Sequence, residues 1–440
     1  DDFAVEDLAK SSWSWATLQG GAFPLLVHDC IRRATRCAPV SSRNPNELLD
    51  TGHAFTWSAW ATGAPELAWS LFHAWARQGM IFDAASFGLL MMDAAFGKDA
   101  EREASILQMM ERCSAFDVLK GVFAWARGPL RPPELDYSMK FDTRVVPGTA
   151  TQRGTHAKAA MLVEALARAG ASDAPSMLEA IREFSYGQGT WLKVAGGGKA
   201  NIIEDSLRHR PSRPGEIALE FGVFVGYTTV RIAQRSYEDN ATRKRQERGP
   251  LLVGLEVEPV HVCVARWVLD TAHLSHMAEV WSGIAHDLLL RVGDEFGQRS
   301  VRLGFMDHRG TRFHEDLARL EEATLMAPRC RLLADNVLKP AAPLFCWVVR
   351  HSDSYEEVNY AVGEFVQYYV EDWMVVADFV RPGGTAPPAP AALHRLAWDS
   401  DKWRRKSEED SVLVSEWASF AQHAKEIFLE CGLEARPWLN

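Results

Sequence analysis

The sequence predicts an α/β protein in which an open sheet, covered by helices on both faces, lies between an N-terminal helical repeat module and a C-terminal helix. Three observations predict it. Between Ile217 and Asp335, short apolar runs alternate with helical pattern, as a parallel sheet buried on both faces requires. Each run ends in polar or glycine residues (Gly222, Glu256, Asp307-His308, Asp335-Asn336), and in such sheets the carboxyl ends of the strands line one ligand crevice. The first third shows helical spacing only, with an internal period.

In that first part, residues 1–127, Leu67, Leu71, Phe72 and Trp75 share one helical face, as do Ile106, Leu107, Met109 and Met110. Gly63–Asp83 aligns with Gly97–Asp117 at an offset of 34, the period of tetratricopeptide repeats and close to that of pentatricopeptide repeats. Two or three degenerate units form a helical hairpin array that packs on a neighbouring domain or a protein partner. RNA reading needs many such units, which argues against sequence-specific RNA. The Trp residues here (13, 15, 57, 60, 69, 75 and 125) suit either a core or a docking surface.

Residues 128–150, from Gly128-Pro-Leu-Arg-Pro-Pro to Val146-Pro-Gly, break the pattern and mark a linker. Within the central region, 151–382, helices are predicted over His156–Ala169 and Ser176–Phe184. The glycines Gly196–Gly198 form a flexible turn before a further helix around Ile202-Ile203. Strands follow at Ile217–Phe221, Leu251–Glu256, Glu279–Trp281, Val301–Met306 and Arg331–Asp335. Residues 383–440 begin with a Gly- and Pro-rich linker to Pro390 and end in a helix from Asp410 to Cys431, closed by Gly432. Its apolar face (Trp417, Phe420, Ala424, Ile427, Phe428) is expected on the repeats or on a partner.

Composition narrows the function. A formal charge of -10 argues against a general nucleic-acid binder. No apolar run is long enough to span a bilayer. Seven dispersed Cys with no Cys-x-x-Cys read as free thiols of a reducing compartment, cytoplasm or organelle, not as a disulfide or zinc framework. The chain opens on Asp1, as a processed or trimmed product would.

The polar strand ends carry chemistry. Gly222 and Gly226 let the chain turn tightly after the first strand and approach a ligand. Glu256, ending the second strand, can accept both hydroxyls of a ribose or stand as a solvated strand end. The oxygens of Asp307, Asp335 and Asn336 suit a hard cation such as Mg²⁺. The distributed series Trp191, Gly196-Gly-Gly-Lys199, Glu220-Phe-Gly222-Val-Phe224-Val-Gly226-Tyr227-Thr228, Glu256, Asp307-His308, Asp335-Asn336, Pro340 and Glu371 resembles the catechol O-methyltransferase family in order and spacing over residues 150–382.

The resemblance implies a Rossmann-like methyltransferase sheet, S-adenosylmethionine and Mg²⁺ as cofactors, and a small hydroxylated acceptor. It places Ala195, Glu220, Gly222, Phe224, Gly226, Tyr227, Thr228, Glu256, Val257, Ala285, His286, Asp307 and His308 around the S-adenosylmethionine, with His286 either flanking the adenine or purely structural. Asp307, Asp335 and Asn336 hold the metal, Glu371 accepts from a catechol hydroxyl, and Trp191 and Pro340 grip the ring. The chain departs from the pattern at the general base. That Lys normally lies three positions after the first metal Asp, where this chain has Gly310, and the aromatic gatekeeper before it is Arg309. Lys193 and Lys339 replace apolar pocket residues; each is a substitute base, a partner for acidic groups, or a solvated side chain. Either the chain methylates a hydroxylated acceptor with Lys339 and Glu371 as catalytic residues, or it is an impaired, methyltransferase-like subunit of a larger assembly.

Overall fold

The computed structural model describes residues 24–36, 55, 59, 64–76, 90, 101–102, 105, 159, 161–187, 192–209, 212–240, 251–257, 259–282, 285–367, 370–409 and 412–438. Most of the 34-residue period, the linker 128–150 and Trp191 lie outside them. The chain divides into two compact units, Asp1–Arg168 with Glu258–Trp267, and Ala169–Val257 with Val268–Asn440.

In the first unit, helices α1 (Pro24–Arg36) and α2 (Pro65–Ala76) pack together. The face predicted from helical spacing is the buried one: Leu71, Phe72 and Trp75 are sealed, and the Trp75 indole N–H reaches the Ala34 carbonyl at 3.4 Å. Phe55 meets Trp75 edge-on with centroids 6.1 Å apart.

The second unit is built on one sheet. Its elements run α3 (Ala174–Gly187), α4 (Gly198–Arg208), β1 (Ile217–Phe221), α5 (Tyr227–Asn240), β2 (Leu252–Glu256), α6 (Pro259–Thr271, whose first part falls in the other unit), β3 (Ala278–Ser282) and α7 (Ala285–Phe296). They continue with β4 (Val301–Met306), α8 (Phe313–Glu322), β5 (Met326–Ala334), a π turn (Val337–Ala341), α9 (Pro343–His351), β6 (Tyr355–Gly363) and β7 (Glu371–Phe379). The C-terminal part adds α10 (Ala391–Glu409), α11 (Val414–Glu430) and β8 (Arg436–Pro437).

The strand order is β3-β2-β1-β4-β5-β7-β6-β8. The first five strands pair in parallel, and β1, β2 and β4 are buried at every position, which is why they read as unbroken apolar runs. The sheet is mixed rather than wholly parallel, because β7 runs antiparallel to both β5 and β6. β6 was not evident in the sequence: only Tyr355, Asn359 and Val362 along it are buried, and its apolar residues are interleaved with Glu356, Glu357 and Asn359. Strand order reverses between β1 and β4, and the carboxyl ends of these two strands open the crevice that such folds use.

The C-terminal segment departs most from expectation. Residues 391–409 form a helix the sequence did not announce, and α11 spends its apolar face on the unit's own sheet and π turn. Phe428 stacks on Trp373 of β7 at 5.3 Å, and Phe420, Ala424, Phe428 and Leu433 join the core with Val337, Leu338 and Ala341. β8 then adds to the sheet edge beside β6. Among the described residues, no helix is long and apolar enough to cross a membrane.

Because Phe428 is fully buried against Trp373, Phe428→Ala is expected to cost about 3–5 kcal/mol in urea unfolding. An unchanged midpoint would show that α11 is not part of this core.

Candidate functional site

The crevice is shaped first by backbone. At the end of β1 the chain turns through left-handed conformations at Gly222 (φ 82°), Phe224 (φ 52°) and Gly226 (φ 87°). Gly222 is required twice, since a Cβ there would lie 2.8 Å from the carbonyl oxygen of Asp307. Glu256, at the end of β2, reaches back across the turn; its Oε2 accepts from the amides of Val223 (3.0 Å) and Phe224 (2.8 Å). Tyr227 and Thr228, both buried, open α5, so a helix N-terminus points into the turn and favours an anionic ligand group.

Glu220 lies beneath this turn, 1% exposed, and its Oε2 has no hydrogen-bond partner among the described residues. Burial, helped by the charge of Glu256, raises its pKa to about 8. An orphaned buried carboxyl oxygen at a ligand crevice asks for a cationic or N–H donor.

On the β4 side, His308 stacks on Phe221 (5.5 Å) and its Nε2 lies 2.7 Å from the carboxylate of Asp316 on α8. His286 Nδ1 approaches the other oxygen of Asp316 at 3.5 Å, so one buried carboxylate orients both imidazoles. Ala285 begins α7, while Val257 is exposed just after Glu256. Ala195 is buried before the glycine turn, which is less free than its composition suggests. A Cβ on Gly196 would fall 2.5 Å from the Phe365 ring, which in turn packs edge-on against Tyr186.

The metal candidates converge around a buried cation. Asn336 donates through Nδ2 to Asp307 (2.7 Å), and its backbone amide donates to Asp335 (2.7 Å). The ammonium of Lys199, 1% exposed, lies 2.7 Å from Asp335, 2.9 Å from Asp372, 3.1 Å from Glu364 and 3.2 Å from the Asn336 amide oxygen. Lys339 pairs with the second oxygen of Glu364. Burial alone would neutralise Lys199, but Asp335, Asp372 and Glu364 hold its pKa well above the usual lysine value. Burial likewise opposes ionisation of Glu364, yet Lys199 and Lys339 hold it down at about 2. Asp335 is raised to about 6 by burial against the pull of Lys199, and Asp307 is raised further by burial and by Asp335. Four carboxylates (Asp307, Asp335, Glu364, Asp372) thus face two ammonium groups, an excess of negative charge that fits a divalent cation. Among the described residues no cluster of three His, Cys, Asp or Glu side chains forms a metal site, so the Asn336 amide would have to complete this donor set.

The C-terminal helices add further polar contacts. Arg309 binds Asp401 of α10 through both guanidinium nitrogens, Nε at 2.9 Å, and Thr311 donates to the same carboxylate at 2.8 Å. Gly310 is buried; a Cβ there would meet the Ala341 carbonyl at 2.8 Å, so a lysine cannot simply be restored. Glu371 is not among the carboxylates around Lys199. It accepts from the Trp373 indole (2.7 Å) and binds Lys425 of α11 through both oxygens (2.8 Å each). Its neighbour Asp372 faces the cluster instead, because successive strand residues point to opposite faces. Half-buried Pro340 lies in the π turn beside Lys339.

Asp316, Glu364 and Asp372 are site residues the sequence did not single out. Alternation along β7 is the one signal that pointed to Asp372; the other two sit at positions set by long-range packing.

The chain has relatives along the same region. Catechol O-methyltransferase of Mus musculus is 29% identical over 215 residues, 48% of this chain and 75% of that protein. The Bos taurus enzyme is 28% identical over 204 residues, 46% of this chain and 70% of that protein. A probable O-methyltransferase of Mycobacterium tuberculosis is 25% identical over 244 residues, 53% of this chain and 96% of that protein. Among solved structures, the O-methyltransferase from Bacillus cereus in complex with SAH superposes with a TM-score of 0.37 at 17% identity, over 46% of this chain and 90% of that chain. TomG from Streptomyces achromogenes in complex with SAM gives 0.37 at 19% identity, over 47% and 89%. No family model matches the sequence. Over roughly half of its length the chain is therefore similar to catechol O-methyltransferases and to a probable O-methyltransferase.

A carboxyl whose folded pKa is raised to about 8 destabilises the fold as pH climbs above its unfolded value near about 4.3, and the penalty is complete above the folded value. Glu220→Gln is accordingly expected to raise the urea midpoint of the ligand-free protein at pH 8.5 and to leave it unchanged at pH 4. Equal midpoints at both pH values would show that Glu220 is not desolvated.

Proposed function

We propose that the chain is an S-adenosylmethionine- and Mg²⁺-dependent O-methyltransferase acting on a small hydroxylated acceptor. The observation that carries this is the buried Glu220 Oε2, without a hydrogen bond among the described residues, beside a glycine turn that Glu256 already holds open. A ligand with an ammonium group, a carboxylate and a ribose meets three complementary features there: Glu220, the N-terminus of α5, and the strand end at Glu256. His308 and His286, fixed by Asp316, flank the remaining aromatic part.

Asp307, Asp335 and Asn336 would hold Mg²⁺, which makes a bound hydroxyl more acidic. S-adenosylmethionine supplies the methyl group. The chain's own residues supply position. Lys199 fixes Asp335 and Asn336, the Phe365 ring seats on Gly196, and α10 and α11 set the acceptor wall through Arg309 and Glu371. Held geometry of this sort is a large part of the acceleration available to a transfer between two bound reactants. Lys339 and Glu371, the candidate catalytic pair, act within ion pairs: Lys339 with Glu364 shapes the floor, and Glu371 with Lys425 shapes the rim.

A second reading is favoured by Gly310. The position of the family's base is packed shut and Glu371 is already paired, so a cofactor-bound but non-catalytic subunit of an assembly also accommodates the geometry.

Calorimetry on the intact protein is expected to show S-adenosylmethionine binding that weakens at least about tenfold in Glu256→Ala, since both the turn and the ribose partner are lost. Labelled methyl transfer to a panel of phenols and catechols, abolished by Asp335→Asn, supports the enzyme. Binding without transfer to any acceptor favours the subunit, and no binding sinks both.

A further inference from the structure

The site gathers five cations, and four of them are already bound to carboxylates. Lys199 is held by Asp335, Asp372 and Glu364, Lys339 by Glu364, Lys425 by Glu371, and Arg309 by Asp401. Lys193 differs. Among the described residues no carboxylate pairs with it; its ammonium instead lies over the indole of Trp417 on α11, 5.1 Å from the ring centroid. Its backbone is anchored, because Leu192, Val194 and Ala195 on either side are buried, and Val194 accepts from the Gly196 amide at 2.7 Å. Lys193 therefore projects, exposed, from the irregular segment that leads into the glycine turn towards Trp417.

We propose that Lys193 Nζ is the proton acceptor of the transfer site, in place of the base that Gly310 cannot supply. The proposal rests on the O-methyltransferase reading above. As the acceptor oxygen forms its bond to the methyl carbon, the carbon–sulfur bond breaks and its electron pair leaves with sulfur. The acceptor's proton passes to the neutral Lys193 amine, and the resulting ammonium returns it to water. A candidate base must be both uncommitted and able to exist neutral near working pH. Lys339 fails the first condition because its ammonium is paired with Glu364, and Arg309 fails the second. Lys193 meets both. Crowding by protein lowers its pKa, and the like charges of Lys339 and Lys199 push the same way while Glu364 and Asp372 oppose them. The Trp417 face receives the positive charge when it forms, without a carboxylate to trap it.

The molecule contains its own control. Lys402 is exposed and likewise lies over an indole, that of Trp398, at 5.7 Å, but far in sequence from the glycine turn. Trace acetylation with acetic anhydride across a pH series, read by peptide mass spectrometry, reports the ionisation of both amines in the intact protein without any turnover. Lys193 is expected to reach half its maximal reactivity at least about one pH unit below Lys402. Matching profiles would overturn the proposal. Lys193→Met and Lys193→Arg, one unable to take a proton and the other permanently charged, should each lower kcat about 100-fold or more while S-adenosylmethionine affinity in calorimetry stays within about twofold. Transfer that survives both substitutions refutes Lys193 as the base and leaves the O-methyltransferase reading standing. A wild-type chain that binds no S-adenosylmethionine refutes that reading, and the base with it.

Discussion

The buried ammonium of Lys199 is the interaction on which the rest of the site depends. It begins α4, yet its four oxygen partners come from the end of β5, from the turn after it, from the loop after β6 and from the start of β7. A charge this deep is tolerable only when it is fully paired. Its position therefore fixes where those four segments can sit. Through Asp335 and Asn336 it sets the oxygens suited to a divalent cation. Through Glu364 it draws the loop bearing Phe365 onto Gly196.

The turn after β1 and the region around Gly310 are built differently. The turn after β1 offers what a charged ligand needs: left-handed backbone, a helix N-terminus, a carboxylate organising two amides, and a buried carboxyl oxygen of Glu220 without a hydrogen bond among the described residues. The region around Gly310 and Glu371 is packed against α10 and α11. Ala341 fills the space a side chain at 310 would need, Asp401 takes Arg309, and Lys425 takes Glu371. α10 is joined to the core by Leu393 and Leu396, and α11 by Phe420, Ala424 and Phe428.

Much of this was legible in the sequence where the signal is local. β1 and β4 read directly because strands buried on both faces are unbroken apolar runs, and the glycines of the turn announced themselves by their spacing. Other features were not local. β6 hides because one of its faces is wet, and α10 because its aromatic and charged residues interleave. Glu371 was legible as a carboxylate near the site, but which of Glu371 and Asp372 turns inward depends on strand register, set by pairing with β6. Lys199 stood out only as part of a glycine motif. Its partners lie more than 130 positions away in sequence, and no spacing rule reaches that far.

The most direct test of the Lys199 centre is a double-mutant cycle in urea unfolding with Lys199→Met, Asp372→Asn and the pair. Breaking a buried, fully paired charge is expected to cost about 3–5 kcal/mol, and removing both partners should cost clearly less than the sum of the single losses. Single substitutions that leave the midpoint unchanged, or losses that simply add, would contradict the account.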